Sequence, residues 1–203
     1  MKRMRSKTVL FIVDGCRADY LDNIRTRTIA KMVQEGTLVE DCRTVFPSMT
    51  HPAHTSIVTG LYPSNHGMLS HHYYDKRCRR FGDFLTYNKF RGKSIAELVK
   101  FAGGTVVSVD EFTSLGRGAD LYVNIPTHDI QEVTHHAIDA ISRKIPDLLI
   151  VTYFFSDDVG TGSGPRSKEL AACIRDIDGS IEMIVKKAQE TCRDKRLLFV
   201  LSS

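Results

Sequence analysis

The sequence predicts an α/β fold, a mainly parallel β-sheet sandwiched by helices. Three observations predict it. Residues 8–13 and 148–154 are continuous apolar runs, the pattern of strands covered on both faces in a parallel sheet. Other stretches place apolar residues at helical spacing, most clearly Leu170, Ile174, Ile177, Ile181, Ile184 and Val185. Acidic residues follow the two apolar runs, at the carboxyl strand ends where open α/β sheets collect ligands. A chain of 203 residues suits a single domain, 1–203, and can bury a real core.

The elements follow in order. After strand 8–13 comes Asp14-Gly15, where a carboxylate offers a hard oxygen to a divalent metal or caps the next helix. Leu21, Ile24, Met32 and Val33 leave a helical stripe with Gly36 as its stop. Residues 37–44 are expected to form the second strand. A short helix then starts with Pro52 at its first position and stops at Gly60. Thr50 stands at its entrance, beside N–H groups without helical partners and the positive end of the dipole. A hydroxyl there can cap the helix, the commoner role, or attack a phosphorus or sulfur centre whose oxyanion the N–H groups hold.

Ser94 and Glu97 have capping-box spacing, and the helix they open runs to Gly103-Gly104. Residues 105–109 form a strand, 110–124 a loop-rich region without readable chemistry, and a helix begins near Asp129. His135 and His136 lie on that helix as neighbours, which is not the i,i+4 pair of a helical metal site, so they read as structural. Strand 148–154 leads into Ser156-Asp157-Asp158. A long helix over 167–190, with Gly179 as its weak point, and a last strand over 196–203 complete the chain. That last strand is expected at a sheet edge, open to pairing with another chain.

Composition bounds the function. The net charge of +4 is too mild to imply nucleic acid, and the basic run Lys76-Arg77-Cys78-Arg79-Arg80 reads first as a solvated loop. No apolar stretch approaches membrane-spanning length, and the basic start, residues 1–7, precedes an apolar run too short for a signal peptide. Cys16, Cys42, Cys78, Cys173 and Cys192 are odd in number and form no Cys-x-x-Cys pair, which fits reduced thiols and a cytoplasmic location.

Two motifs carry a resemblance. Thr50-His51-Pro52-Ala53-His54-Thr55-Ser56-Ile57-Val58-Thr59-Gly60-Leu61-Tyr62-Pro63, followed by His66-Gly67, resembles the nucleophile region of the type I phosphodiesterase/nucleotide pyrophosphatase family, of the alkaline-phosphatase superfamily. Val13-Asp14-Gly15-Cys16-Arg17-Ala18-Asp19-Tyr20 resembles its opening motif. His54 stands where related sulfatases carry Arg, which argues against a sulfatase.

The resemblance implies an alkaline-phosphatase-like fold. It implies hydrolysis of phosphodiester or nucleotide pyrophosphate bonds in small-molecule substrates, with Thr50 as nucleophile and metal ligand. It implies two divalent ions, zinc in the family, with Asp14 and Asp157 as further ligands. His71 falls where the family places a substrate-holding Asn, and a His can donate there too. In the family pattern Asp-x-x-Gly-His-x-x-Gly-Pro, Asp157, Gly160, Gly164 and Pro165 match while Thr161 replaces the His ligand, a change for which Asp158 is the nearest compensation. The family's Asp-His-Gly after the last strand and a later His have no counterpart up to Ser203, so the chain is expected to be a truncated form of the catalytic domain. The alternative is a catalytically inactive homologue or fragment that binds an anion or a partner protein.

Overall fold

The apolar runs line up side by side in a computed structural model that describes residues 6–83, 89–192 and 196–203. Most of the basic start, residues 1–5, lies outside the described residues. In chain order the elements are β1 (Lys7–Val13), α1 (Ala18–Asn23), α2 (Arg27–Glu35), α3 (Thr50–Thr59), α4 (Pro63–His66), β2 (His72–Asp75) and β3 (Arg80–Asp83). Then follow α5 (Ile95–Phe101), β4 (Val106–Val109), a 3-10 turn (Phe112–Ser114), β5 (Leu121–Val123), α6 (Ile130–Lys144), β6 (Leu148–Tyr153), α7 (Phe155–Ser163), α8 (Lys168–Thr191) and β7 (Leu197–Ser202).

The main sheet has the order β5-β4-β6-β1-β7, and every pairing in it is parallel. The predicted architecture is present. β1 lies between β6 and β7, with Val9 opposite Leu149 on one side and Phe199 on the other. Side chains alternate across a strand. Val9, Phe11 and Val13 therefore enter the larger core with Ile174, Ile177 and Ile181 of α8 and Val133 and Ile141 of α6. Leu10 and Ile12 enter a smaller core with Ala96, Val106, Leu148 and Ile150. β7 stands at the end of the sheet, with Leu198 and Val200 exposed.

Helix ends follow their sequence signals. Ser94 and Glu97 form both bonds of the capping box. Asp129 and Ser167 cap α6 and α8, and α8 runs unbroken through Gly179. Asp178 of α8 reaches the start of α2 and accepts the N–H groups of Arg27, Thr28 and Ile29 at 2.8, 3.1 and 2.8 Å. Thr26, at the N-cap of α2, makes no side-chain cap bond, so the capping group comes from another helix. Asp178→Ala leaves three donors without this acceptor and is expected to cost about 2 kcal/mol, read from urea unfolding.

Four expectations are corrected. Residues 37–44 are not a strand: Leu38 and Val39 are 51% and 68% exposed, and this two-residue apolar patch finds no sheet neighbour. The single stripe through Leu21 and Val33 is two helices, because the chain turns extended at Ile24. α3 begins at Thr50, with Met49 at the N-cap, so Pro52 is its third residue. The region 110–124 is more ordered than expected and holds the 3-10 turn and β5.

Candidate active site

The ends of β1, β4 and β6 and the start of α3 surround a cavity of about 270 Å³. Asp14, Thr50 and Asp157 all line it. Asp14 extends the β1 ladder by donating its N–H to the Tyr153 carbonyl at 2.9 Å, and its own carbonyl accepts Ser156 Oγ at 2.7 Å. The sheet and the start of α7 thus fix the Asp14 backbone. Gly15 sits at φ +70°, and a Cβ there would lie 2.9 Å from Asp157 Oδ1 and 3.0 Å from its Cα. Only glycine lets the two acidic strand ends pack this closely.

Thr50 makes no cap bond; its Oγ1 donates to Asp14 Oδ2 at 3.0 Å. His54, one turn further along α3, places Nε2 3.6 Å from Asp14 Oδ1. Its Nδ1 meets Glu111 Oε2 at 2.7 Å. Glu111 is 0% exposed and also accepts Thr113 Oγ1 at 2.7 Å and Thr152 Oγ1 at 2.8 Å. The His54 ring stacks with Phe112 and Phe154 at centroid distances of 5.6 and 5.4 Å. A continuous polar chain therefore runs from the buried Glu111 through His54 and Asp14 to the Thr50 hydroxyl.

The electrostatics separate the two acids. Burial works to raise the Asp14 carboxyl, but the His54 hydrogen bond and charge and the Thr50 hydroxyl outweigh it and hold it below its ordinary range. Asp157 is pushed up by burial and by the charges of Asp14 and Asp158. The residues only partly match the two-ion centre that the resemblance implies. Asp14, Thr50 and Asp157 share the cavity, but among the described residues no group of three or more His, Cys, Asp or Glu is placed to hold a metal ion. Among the described residues, neither ion of such a pair finds a full protein ligand set.

The other expected residues fall into place as follows. His71 is half-buried and does not line the cavity; its ring sits edge-on to that of His51, which does, at 4.3 Å. Thr161 is exposed on α7 and does not line the cavity. Asp158 does line it, paired with His128 Nδ1 at 2.7 Å. His135 and His136 are neighbours on α6 whose rings meet edge to face, outside the cavity lining. Lys76 to Arg80 lie exposed at the β2–β3 turn, where Asp75 accepts the N–H groups of Arg77 and Cys78. All five cysteines are free.

Asp110, Glu111 and His128 were not singled out by the sequence reading. The signal that marked Asp14 and Asp157 was present for the first two, since acidic residues directly follow the apolar strand Val106–Val109. Burial lifts the Asp110 carboxyl from 3.8 to about 6, against the Ile125 N–H and the His128 charge. The protonated form is favoured in the fold, so this residue's stabilising contribution is complete below about pH 4 and is lost as pH rises through about 6. The difference is worth about 3 kcal/mol. Asp110→Asn is expected to flatten the fall in unfolding free energy between pH 4 and pH 6, followed by urea titration at each pH.

A parallel sheet with acidic side chains at its carboxyl strand ends is the arrangement in which open α/β folds bind ligands. The family model for type I phosphodiesterase / nucleotide pyrophosphatase matches residues 8–109, and the chain belongs to that family. The human ectonucleotide pyrophosphatase/phosphodiesterase family member 1 is 27% identical over 216 residues, covering 97% of this chain and 23% of its own length. The human bis(5'-adenosyl)-triphosphatase is 45% identical over 69 residues, covering 34% of this chain and 15% of its own. The fold matches that of murine ectonucleotide pyrophosphatase/phosphodiesterase 5 with a TM-score of 0.82 at 20% identity, covering 96% of this chain and 56% of the neighbour. It also matches phosphonoacetate hydrolase from Sinorhizobium meliloti 1021, with a TM-score of 0.71 at 18% identity over 91% of this chain and 54% of the other. The chain thus spans about a quarter of the human family member 1 and about half of these solved chains.

Proposed function

We propose that this chain carries the nucleophile side of a phosphodiester or nucleotide pyrophosphate hydrolase, with Thr50 Oγ1 as the attacking atom. The observation that supports this best is the Thr50–Asp14 hydrogen bond at 3.0 Å at the cavity wall, with Asp157 facing the same space. Because the hydroxyl proton points at Asp14, the lone pairs of Oγ1 are free for phosphorus. Thr50 and His51 begin α3, so their N–H groups have no partner inside the helix and suit a phosphoryl oxygen. Pro52, third in the helix, contributes no donor.

In this reading Thr50 Oγ1 bonds to phosphorus as the bond to the leaving oxygen breaks. The hydroxyl proton passes by way of Asp14 Oδ2, and the leaving alcohol or phosphate takes up a proton. Water then attacks the phospho-threonine, restores the hydroxyl and releases the second product. His54, held by Glu111, keeps Asp14 turned toward Thr50. His71, beside His51 and outside the cavity lining, is the proposed contact to a substrate oxygen. Divalent ions, zinc in the family the chain resembles, would take Asp14, Thr50 and Asp157 as protein ligands and supply charge for the phosphoryl oxygens.

The substrate class we propose is a small phosphodiester or nucleotide, since a related murine protein was solved in complex with AMP. The five free cysteines support a cytoplasmic location. The incomplete ligand set favours a second reading, an inactive homologue that binds an anion or a partner. Release of nitrophenolate from bis(p-nitrophenyl) phosphate in the presence of zinc separates the two. The wild type is expected to turn the ester over and Thr50→Ala is not; equal rates favour the binding reading.

A further inference from the structure

His128 and Asp158 line the same cavity as Thr50 but take no part in its attack on phosphorus. They come from separate elements, His128 between β5 and α6 and Asp158 in the first turn of α7. His128 Nδ1 meets Asp158 Oδ2 at 2.7 Å. A carboxylate only accepts, so Nδ1 carries a proton and donates it. The ring is held by more than that bond. It packs on Phe154 at a centroid distance of 5.2 Å, and the His128 N–H donates to the Ile125 carbonyl at 3.0 Å. The backbone is left-handed, at φ +52°, a strained conformation for a non-glycine residue that collects at functional sites. With side chains 36% and 55% exposed, the pair adds little to stability, so folding alone does not account for it.

Phe154 relates this pair to the nucleophile. Its ring lies 5.4 Å from that of His54 and 5.2 Å from that of His128. His54 sits against Asp14, which in turn holds the Thr50 hydroxyl. One phenyl ring therefore spaces His128 from the group that carries the attacking oxygen. Asp14 follows β1 and His128 follows β5, at opposite ends of the row β5-β4-β6-β1. In-line attack puts the leaving oxygen on the far side of phosphorus from Thr50 Oγ1. A proton donor must come within about 3 Å of that oxygen, and His128 stands on the side where it emerges. Histidine is also the side chain that gains and loses a proton most readily near neutral pH.

We infer that His128, oriented by Asp158 through Nδ1, is the general acid that protonates the leaving oxygen from Nε2. This deepens the proposed function by naming the source of the leaving group's proton, and it rests on that reading for the position of phosphorus. As the bond from phosphorus to the leaving oxygen breaks, its electron pair stays on that oxygen, which takes the Nε2 proton and departs as the alcohol or phosphate. The neutral imidazole keeps its Nδ1–H on Asp158. It then takes a proton from the water that attacks the phospho-threonine, which returns His128 to its starting state. His128→Asn is the informative variant. Asparagine tolerates the left-handed backbone and keeps an N–H for Asp158, but its amide gives up no proton.

Two diesters that differ only in their leaving group test the inference: the p-nitrophenyl and the phenyl ester of thymidine 5′-monophosphate, each followed with zinc present. Nitrophenolate is a stable anion at neutral pH and departs without a proton, whereas the more basic phenolate needs one. The wild type is expected to hydrolyse the phenyl ester within about 100-fold of the nitrophenyl ester, and His128→Asn to widen that ratio at least about tenfold. A wild-type gap beyond about 100-fold, or no turnover of the phenyl ester, overturns the inference even if the variant does not fold. A smaller widening in a folded His128→Asn protein, as when both esters slow together, overturns it too. If Thr50→Ala abolishes turnover of both esters while His128→Asn leaves the ratio unchanged, the role of His128 falls alone. If Thr50→Ala hydrolyses both as the wild type does, the nucleophile reading fails, and the ratio still decides the role of His128.

Discussion

Glu111→Ala is expected to destabilise the fold by about 3–5 kcal/mol. Glu111 is 0% exposed, and its partner His54 is 2% exposed. Burial disfavours the imidazolium, but the Glu111 charge, with the hydrogen bonds to Asp14 and Glu111, outweighs it and raises the His54 pKa well above its ordinary value. Removing the carboxylate strands a buried charge between Phe112 and Phe154, with Asp14 at 3.6 Å as its remaining partner. It also leaves the hydroxyls of Thr113 and Thr152 without the acceptor they share. Urea unfolding of the variant against the wild type measures the loss. A loss below 1 kcal/mol contradicts a charged pair at this position. Glu111→Gln retains an acceptor for the hydroxyls and is expected to fall between the two.

Thr50→Ala is expected to reduce phosphodiester hydrolysis at least about 1000-fold, because it removes the attacking oxygen rather than a contact. The fold has little to lose by the change, since Thr50 makes no cap bond and its hydroxyl has Asp14 as its acceptor. Thr50→Ser restores the oxygen without the methyl group and is expected to keep activity within about tenfold of the wild type. If Thr50→Ser is as inactive as Thr50→Ala, a role for the hydroxyl as nucleophile is contradicted. Unfolding curves of both variants, expected to overlay that of the wild type, separate loss of chemistry from loss of structure.

The fold was largely legible in the sequence because a parallel sheet writes its strands as unbroken apolar runs. β1 and β6 are such runs, and both are buried along nearly their whole length. The 37–44 segment was misread because two adjacent apolar residues, Leu38 and Val39, carry no information about whether a neighbour exists to pair with them. Within the site, Asp14, Thr50 and Asp157 were found through local motifs, and the fold brings all three to one cavity. Glu111 escaped notice because its meaning lies in His54, distant in sequence, and a single Glu after a strand does not announce a buried ion pair. Asp110 was legible by the rule that marked Asp14, an acid directly after an apolar strand, and was passed over in a loop-rich stretch, whereas His128 owes its place at the cavity to its pairing with Asp158, distant in sequence.

The central claim is that the Thr50 hydroxyl accepts the phosphoryl group. Peptide mass mapping of the wild-type chain, acid-quenched during reaction with bis(p-nitrophenyl) phosphate, tests it most directly. The account predicts a nitrophenyl-phosphoryl adduct on Thr50, absent from Thr50→Ala. Nitrophenolate release with an adduct on another residue, or with none at Thr50, would contradict it.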